Sequence, residues 1–158
     1  MKKITKLLSM ILFISFIVGC SVGGETTPIN QAPHNFIPEV YSPRDRIKTD
    51  DITFGSTELS INIKDPLYFY LTDSDSMVPV YHKGHNSVGI KPNSEADIER
   101  GDIIVFNFDD RQIGHRVIDI KIDDAGIYYV TKGDNLEEPD PLKIRLNNII
   151  AVIIIIIY

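Results

Sequence analysis

Ser76, His115, Asp134 and Asp140 are the side chains whose types and settings suit a reaction. Ser76 lies in the polar run Asp73-Ser74-Asp75-Ser76-Met77-Val78-Pro79, directly after the apolar residues 67–71. His115 heads an apolar stretch, Ile113-Gly114-His115-Arg116-Val117-Ile118. Asp134 and Asp140 flank a tight loop that follows Thr131-Lys132-Gly133. A serine hydroxyl is a weak nucleophile at neutral pH and needs a base within hydrogen-bond reach. An imidazole suits that task, because its ordinary pKa near 6.5 lets it be neutral before attack and protonated after it. A carboxylate on the far ring nitrogen fixes the tautomer and stabilises the imidazolium. Each residue also has a plainer reading: a serine bonding within a turn, a half-buried satisfied histidine, and turn-forming aspartates.

These residues need a scaffold of strands. Leu59, Ile61 and Ile63 alternate with Ser60, Asn62 and Lys64, the period of a half-buried strand. Short runs rich in β-branched and aromatic residues follow at 67–71, 87–90, 103–108, 117–122, 127–131 and 149–158. Turn residues separate them at 65–66, 83–84, 100–102, 123–126, 133–135 and 139–141. The pattern predicts a mainly β fold, a partly open barrel or sandwich with short helical turns. One such turn is expected at 94–100, with Ser94 as cap and Glu95 and Asp97 in its first residues. The last run holds seven isoleucines but is too short for a membrane span, so it reads as a strand buried on both faces.

The chain opens with Lys2, Lys3 and Lys6, then an apolar run over 7–18, then Gly19 and Cys20, the order of an export signal. Ile17-Val18-Gly19-Cys20 resembles a lipobox, in which the cysteine is lipidated and becomes the new N-terminus. Cys20 is the only cysteine, so no disulfide competes for it. The alternative is an uncleaved anchor. From 21 to about 55 the chain is polar, with Pro28, Pro33, Pro38 and Pro43, and is expected to form an extended spacer. Three segments are therefore expected: 1–20 as signal or anchor, 21–55 as stalk and 56–158 as the catalytic domain.

Loss of residues 1–19 removes three lysines and no acid, so sixteen basic residues fall to thirteen against 22 acidic ones, a formal charge near −9. Such a surface repels phosphate backbones, and no nucleic-acid partner is expected. His82 and His85 have the spacing of two metal ligands, yet no third ligand lies near in sequence and no metal or other cofactor is expected.

Taken together, four segments resemble the catalytic domain of type I signal peptidases, specifically the subclass of archaea and the endoplasmic reticulum. Ser76-Met77-Val78-Pro79 matches the family's Ser-Met-any-Pro motif, and Gly101-Asp102 leads into the apolar 103–106 as its Gly-Asp turn does. His115-Arg116-Val117 matches the subclass's histidine context, and Lys132-Gly133-Asp134-Asn135 with Asp140 matches its last block. The resemblance implies Ser76 as nucleophile, His115 as general base and Asp140 as the carboxylate behind it, with Asp134 as second candidate for that place. It implies an oxyanion site made by the Ser76 amide and the Ser74 hydroxyl. It implies substrates bound as an added strand beside 68–71, exported preproteins with small residues before the cleaved bond.

The chain departs from the family pattern in carrying Asp73 and Asp75 around Ser74, in reading Leu136-Glu137-Glu138 after Asn135, and in its lipobox-like leader. A carboxylate close to a developing oxyanion slows attack unless it turns to solvent. The expected function is thus a serine endopeptidase tethered to membrane lipid, with its domain on the extracytoplasmic face. The alternative is a lipid-anchored binding module of the same fold with impaired turnover.

Overall fold

The computed structural model describes residues 41–71 and 74–158. The lipidation expected at Cys20, the leader, the first part of the spacer, and Asp73 lie outside the described residues. Eight strands carry the fold: β1 (Ile52–Phe54), β2 (Leu59–Ile61), β3 (Leu67–Tyr70), β4 (Asn86–Ile90), β5 (Ile103–Phe108), β6 (Arg111–Asp123), β7 (Gly126–Lys132) and β8 (Ile149–Ile157). β1 and β2 form a small antiparallel hairpin, and the other six form one antiparallel sheet in the order β3-β4-β8-β5-β6-β7. β3 and β7 are its outermost strands among the described residues, so the sheet is not closed, and Ile144 bridges Tyr129 on the outer side of β7. The fold is mainly β, as the alternating and apolar runs predict.

The apolar runs have a simple cause. Successive side chains of a strand point to opposite faces, so a strand covered on both sides reads as continuously hydrophobic. On β5, Ile104 and Phe106 join one buried cluster, with Val117, Tyr129, Ile144 and Val152. Ile103 and Val105 join a second, with Met77, Tyr81, Ala151 and Ile153. The isoleucine-rich β8 runs between β4 and β5 and contributes to both clusters. It is buried on both faces over 151–153, with Ile150 half-buried, and its end opens to solvent at Ile157.

The expected helical turn is a 3-10 turn at Glu95–Asp97, and it is held by Asp97, whose carboxylate accepts the Asn93 and Ser94 amides at 2.8 and 2.9 Å.

The boundary expected between residues 55 and 56 falls inside the β1–β2 hairpin, where Phe54 pairs with Leu59. The stretch before the hairpin, expected to be unpacked spacer, is strapped to the domain. Arg46 pairs with the fully buried Asp102 and donates to the Asp97 carbonyl at 2.6 Å. Arg44 pairs with Glu99, and its amide donates to Asp102 at 3.2 Å. Gly101, at φ 99°, brings the two segments so close that a Cβ there would sit 2.2 Å from the Ser42 carbonyl oxygen. A buried carboxylate demands compensating charge and donors, and the strap supplies both.

Candidate active site

Ser76 opens the turn that joins β3 to β4. The turn is pinned from below by Met77, 1% exposed within the second apolar cluster, and by the Tyr81 amide, which donates to the Met77 carbonyl at 2.9 Å. From the side it is clasped by the loop after β7. The Asn135 amide donates to the Ser76 carbonyl at 2.8 Å, and the Asn135 side chain to the Asp75 carbonyl at 3.1 Å. Gly133 permits this approach, since a Cβ there would lie 2.6 Å from the Ser76 carbonyl oxygen.

His115 lies on β6 opposite Ile104 of β5 and is 7% exposed. Its ring meets Phe106 edge-on, with centroids 6.4 Å apart. The loop after β7 returns Asp140 to that strand, where the Asp140 amide donates to the Thr131 carbonyl at 2.7 Å.

These three supports bring the reactive groups into line. His115 Nε2 is 3.0 Å from Ser76 Oγ, and His115 Nδ1 is 2.7 Å from Asp140 Oδ2. Burial pushes the Asp140 carboxyl up, but the bonds from His115 and Thr131 and the nearby imidazole outweigh it, so its pKa lies below the ordinary aspartate value. An ionised carboxylate only accepts, so Nδ1 carries the proton and Nε2 is left to accept from Ser76. Thr131 Oγ1 donates to the same Asp140 oxygen at 2.6 Å. The connected groups thus run Ser76, His115, Asp140, Thr131.

Asp134 is not behind the histidine. Arg116 holds it through two bonds of 2.7 Å, Nε to Oδ1 and Nη2 to Oδ2, and the same guanidinium donates to the Gly101 carbonyl at 2.8 Å and the Tyr41 carbonyl at 3.2 Å. Asp134 therefore braces the loop that clasps Ser76, and Asp140 alone orients the imidazole.

Ser74 Oγ donates to Ser76 Oγ at 2.8 Å and accepts the Ser76 amide at 3.1 Å. The two donors expected to face an oxyanion are bonded to this serine pair. Asp75 is solvent-exposed, which removes one of the two carboxylates from the concern raised by their position in sequence.

Thr131, Arg116 and Asn135 are the functional neighbours that sequence reasoning did not assign to roles. For Thr131 a signal existed: with Tyr129 it occupies the inward phase of β7, where a polar side chain must find a partner. The His82 and His85 rings lie tilted at 45° to one another with centroids 3.8 Å apart, and His85 meets Tyr158 edge-on at 4.7 Å. Among the described residues no group of three or more His, Cys, Asp or Glu side chains is arranged to hold a metal ion.

Two clefts, of about 280 and 360 Å³, open beside the strap and Ile90, and neither is lined by Ser76, His115 or Asp140. Ser76 follows β3 in the chain, an end strand of the sheet whose outer edge pairs with no other described strand and where Tyr68 and Tyr70 are more than half exposed. An edge with unpaired backbone groups accepts an extended chain without an enclosed cavity. Comparison with protein-family models, curated proteins and solved structures finds no match to this chain.

Proposed function

We propose that this chain is a membrane-tethered serine endopeptidase of the type I signal peptidase kind, cleaving signal peptides from exported preproteins. The observation that carries the reading is the unbroken line from Ser76 Oγ through His115 to Asp140, at 3.0 and 2.7 Å. The outer edge of β3, which pairs with no other described strand and leads in the chain to Ser76, supports a peptide substrate.

The chemistry follows from those contacts. An extended substrate adds to β3 and presents its scissile carbonyl to Ser76. Oγ attacks the carbonyl carbon as its proton passes to His115 Nε2, and Asp140 stabilises the imidazolium from the other side. The proton then goes to the leaving amine, and a water activated by the same nitrogen hydrolyses the acyl-enzyme.

The oxyanion is met by the Ser76 amide and the Ser74 hydroxyl once Ser74 turns away from Ser76, a rotation about one side-chain bond. Each such donor contributes about 2.7–4 kcal/mol in a serine protease.

The export-type leader and Cys20 support a site on the extracytoplasmic face of the membrane. Among the described residues no helix is long and apolar enough to cross a membrane. The tether we propose is the N-terminal segment, through lipid on Cys20 or as an uncleaved anchor.

Incubation of the detergent-solubilised protein with a preprotein tests the reading. Wild type yields a discrete shortened product and Ser76→Ala yields none, whereas equal cleavage by the two refutes Ser76 as nucleophile. Binding of preprotein by both without cleavage by either favours the impaired binding module.

A further inference from the structure

Thr131 is fully buried, uncharged and outside the catalytic chemistry described above, yet its hydroxyl is 2.6 Å from the one Asp140 oxygen that also receives His115 Nδ1. We infer that Thr131 is a positioning residue: it fixes the Asp140 carboxylate so that Oδ2, and not its rotated partner, faces the imidazole. This rests on the proposed peptidase reading for its effect on rate.

The argument is one of degrees of freedom. A carboxylate turns about its own axis, and a single bond from an imidazole leaves that turn weakly restrained. Asp140 sits in a loop between Pro139 and Pro141, outside any strand, so the strands do not set its side-chain angle. Two features of Thr131 do. Its backbone carbonyl accepts the Asp140 amide at 2.7 Å and its hydroxyl grips the carboxylate, a two-point clamp by one residue.

The clamp itself is rigid. Thr131 lies within β7 in register with Val117 of β6, two residues after His115. Base and carboxylate are therefore both referred to adjacent strands of one sheet. Threonine is the fitting type, because its methyl fills the buried site while its restricted χ1 aims the hydroxyl. Valine keeps that shape and removes only the donor.

The experiment compares wild type, Thr131→Val and Thr131→Ser in the full chain in detergent. Removal of a bond to a charged group predicts a fall in kcat of about ten- to a hundred-fold with KM unchanged. Serine, which keeps the hydroxyl, restores most of the rate.

A second readout needs no activity. The His115 Nδ1 proton, far downfield when bonded to a carboxylate, moves upfield and exchanges faster with water in Thr131→Val and returns in Thr131→Ser. A valine variant with wild-type kcat, or with that proton unmoved, overturns the inference. So does a loss of rate that serine fails to rescue. If Ser76→Ala still cleaves preprotein, the peptidase reading falls, while the proton signal continues to decide the role of Thr131.

Discussion

Arg116 grips Asp134 with both ends of its fork, at 2.7 Å each, while Asp140, six residues on, faces His115 at 2.7 Å. Two aspartates of one loop thus serve separate ends, and the difference is measurable. Asp134→Asn weakens the bidentate pair and strands a guanidinium whose side chain is only 6% exposed, a change that costs about 3–5 kcal/mol for a buried ion pair. Thermal denaturation is expected to show a large drop for Asp134→Asn. Asp140→Asn is expected to lower the melting temperature by less than Asp134→Asn does and to lose about 10⁴ in kcat, the scale seen when a triad carboxylate is neutralised. The opposite pattern would exchange the two roles.

His115→Ala tests the base against a packing role. The ring is nearly buried against Phe106, so some stability is lost on truncation, but cleavage is expected to vanish altogether. A variant that unfolds yet cleaves in its residual folded fraction would remove His115 from the chemistry.

Gly133→Ala probes the clasp on the nucleophile. The new methyl meets the Ser76 carbonyl oxygen at 2.6 Å and the Leu136 side chain at 3.0 Å, so the Ser76 backbone or the loop must shift. A displacement of about 1 Å at a reacting group costs roughly 10²-fold. The expected result is a loss of that order in cleavage rate, and an alanine variant at full rate would show that the clasp does not set the position of Ser76.

Acid should destabilise the domain in a defined window. Asp123 is held well below the ordinary range, first by its bond from Lys143 and next by Arg145, and Asp140 is held below it as described. A carboxylate with a depressed folded pKa contributes stability that is present above its unfolded value, near 3.9, and lost as pH falls towards the folded value. Melting temperature should therefore hold steady down to about pH 4 and fall below it. Asp123→Asn and Asp140→Asn should each flatten the acid limb, and a limb unchanged in both variants would dissociate these groups from it.

Arg46→Met in the full chain leaves the buried Asp102 with its amide donors and without its cation. Faster proteolysis within residues 41–48 and a lower melting temperature are expected. An unchanged digestion pattern would mean that the strap is held by other contacts.

The central strands were readable from the chain because burial on both faces of β5 and β8 leaves an unbroken apolar run, which no loop imitates. β1 was not readable. Ile52–Phe54 is three residues long and follows acidic ones, and only its pairing across a turn with Leu59–Ile61 makes it a strand. The strap was missed for a related reason: prolines and polar residues mark a segment without a core face, yet Arg46 meets Asp102 across 56 positions, and no local pattern records such an ion pair. Ser76, His115 and Asp140 were legible as types in an order, whereas the choice between Asp140 and Asp134 depends on how the loop after β7 folds back. That path is set by the Asp140 amide on Thr131 and by the Arg116 fork, neither of which has a periodic trace.

The strap also changes what a tether does in this molecule. Tyr41, the first described residue of the segment expected to be stalk, gives its carbonyl to Arg116, which holds Asp134, whose neighbour Asn135 holds the Ser76 backbone. On the proposed reading, tension along the polypeptide that links this domain to a bilayer would be delivered within a few bonds of Ser76. Mechanical load, and not only proximity to lipid, would then be a variable that reaches the proposed reaction centre.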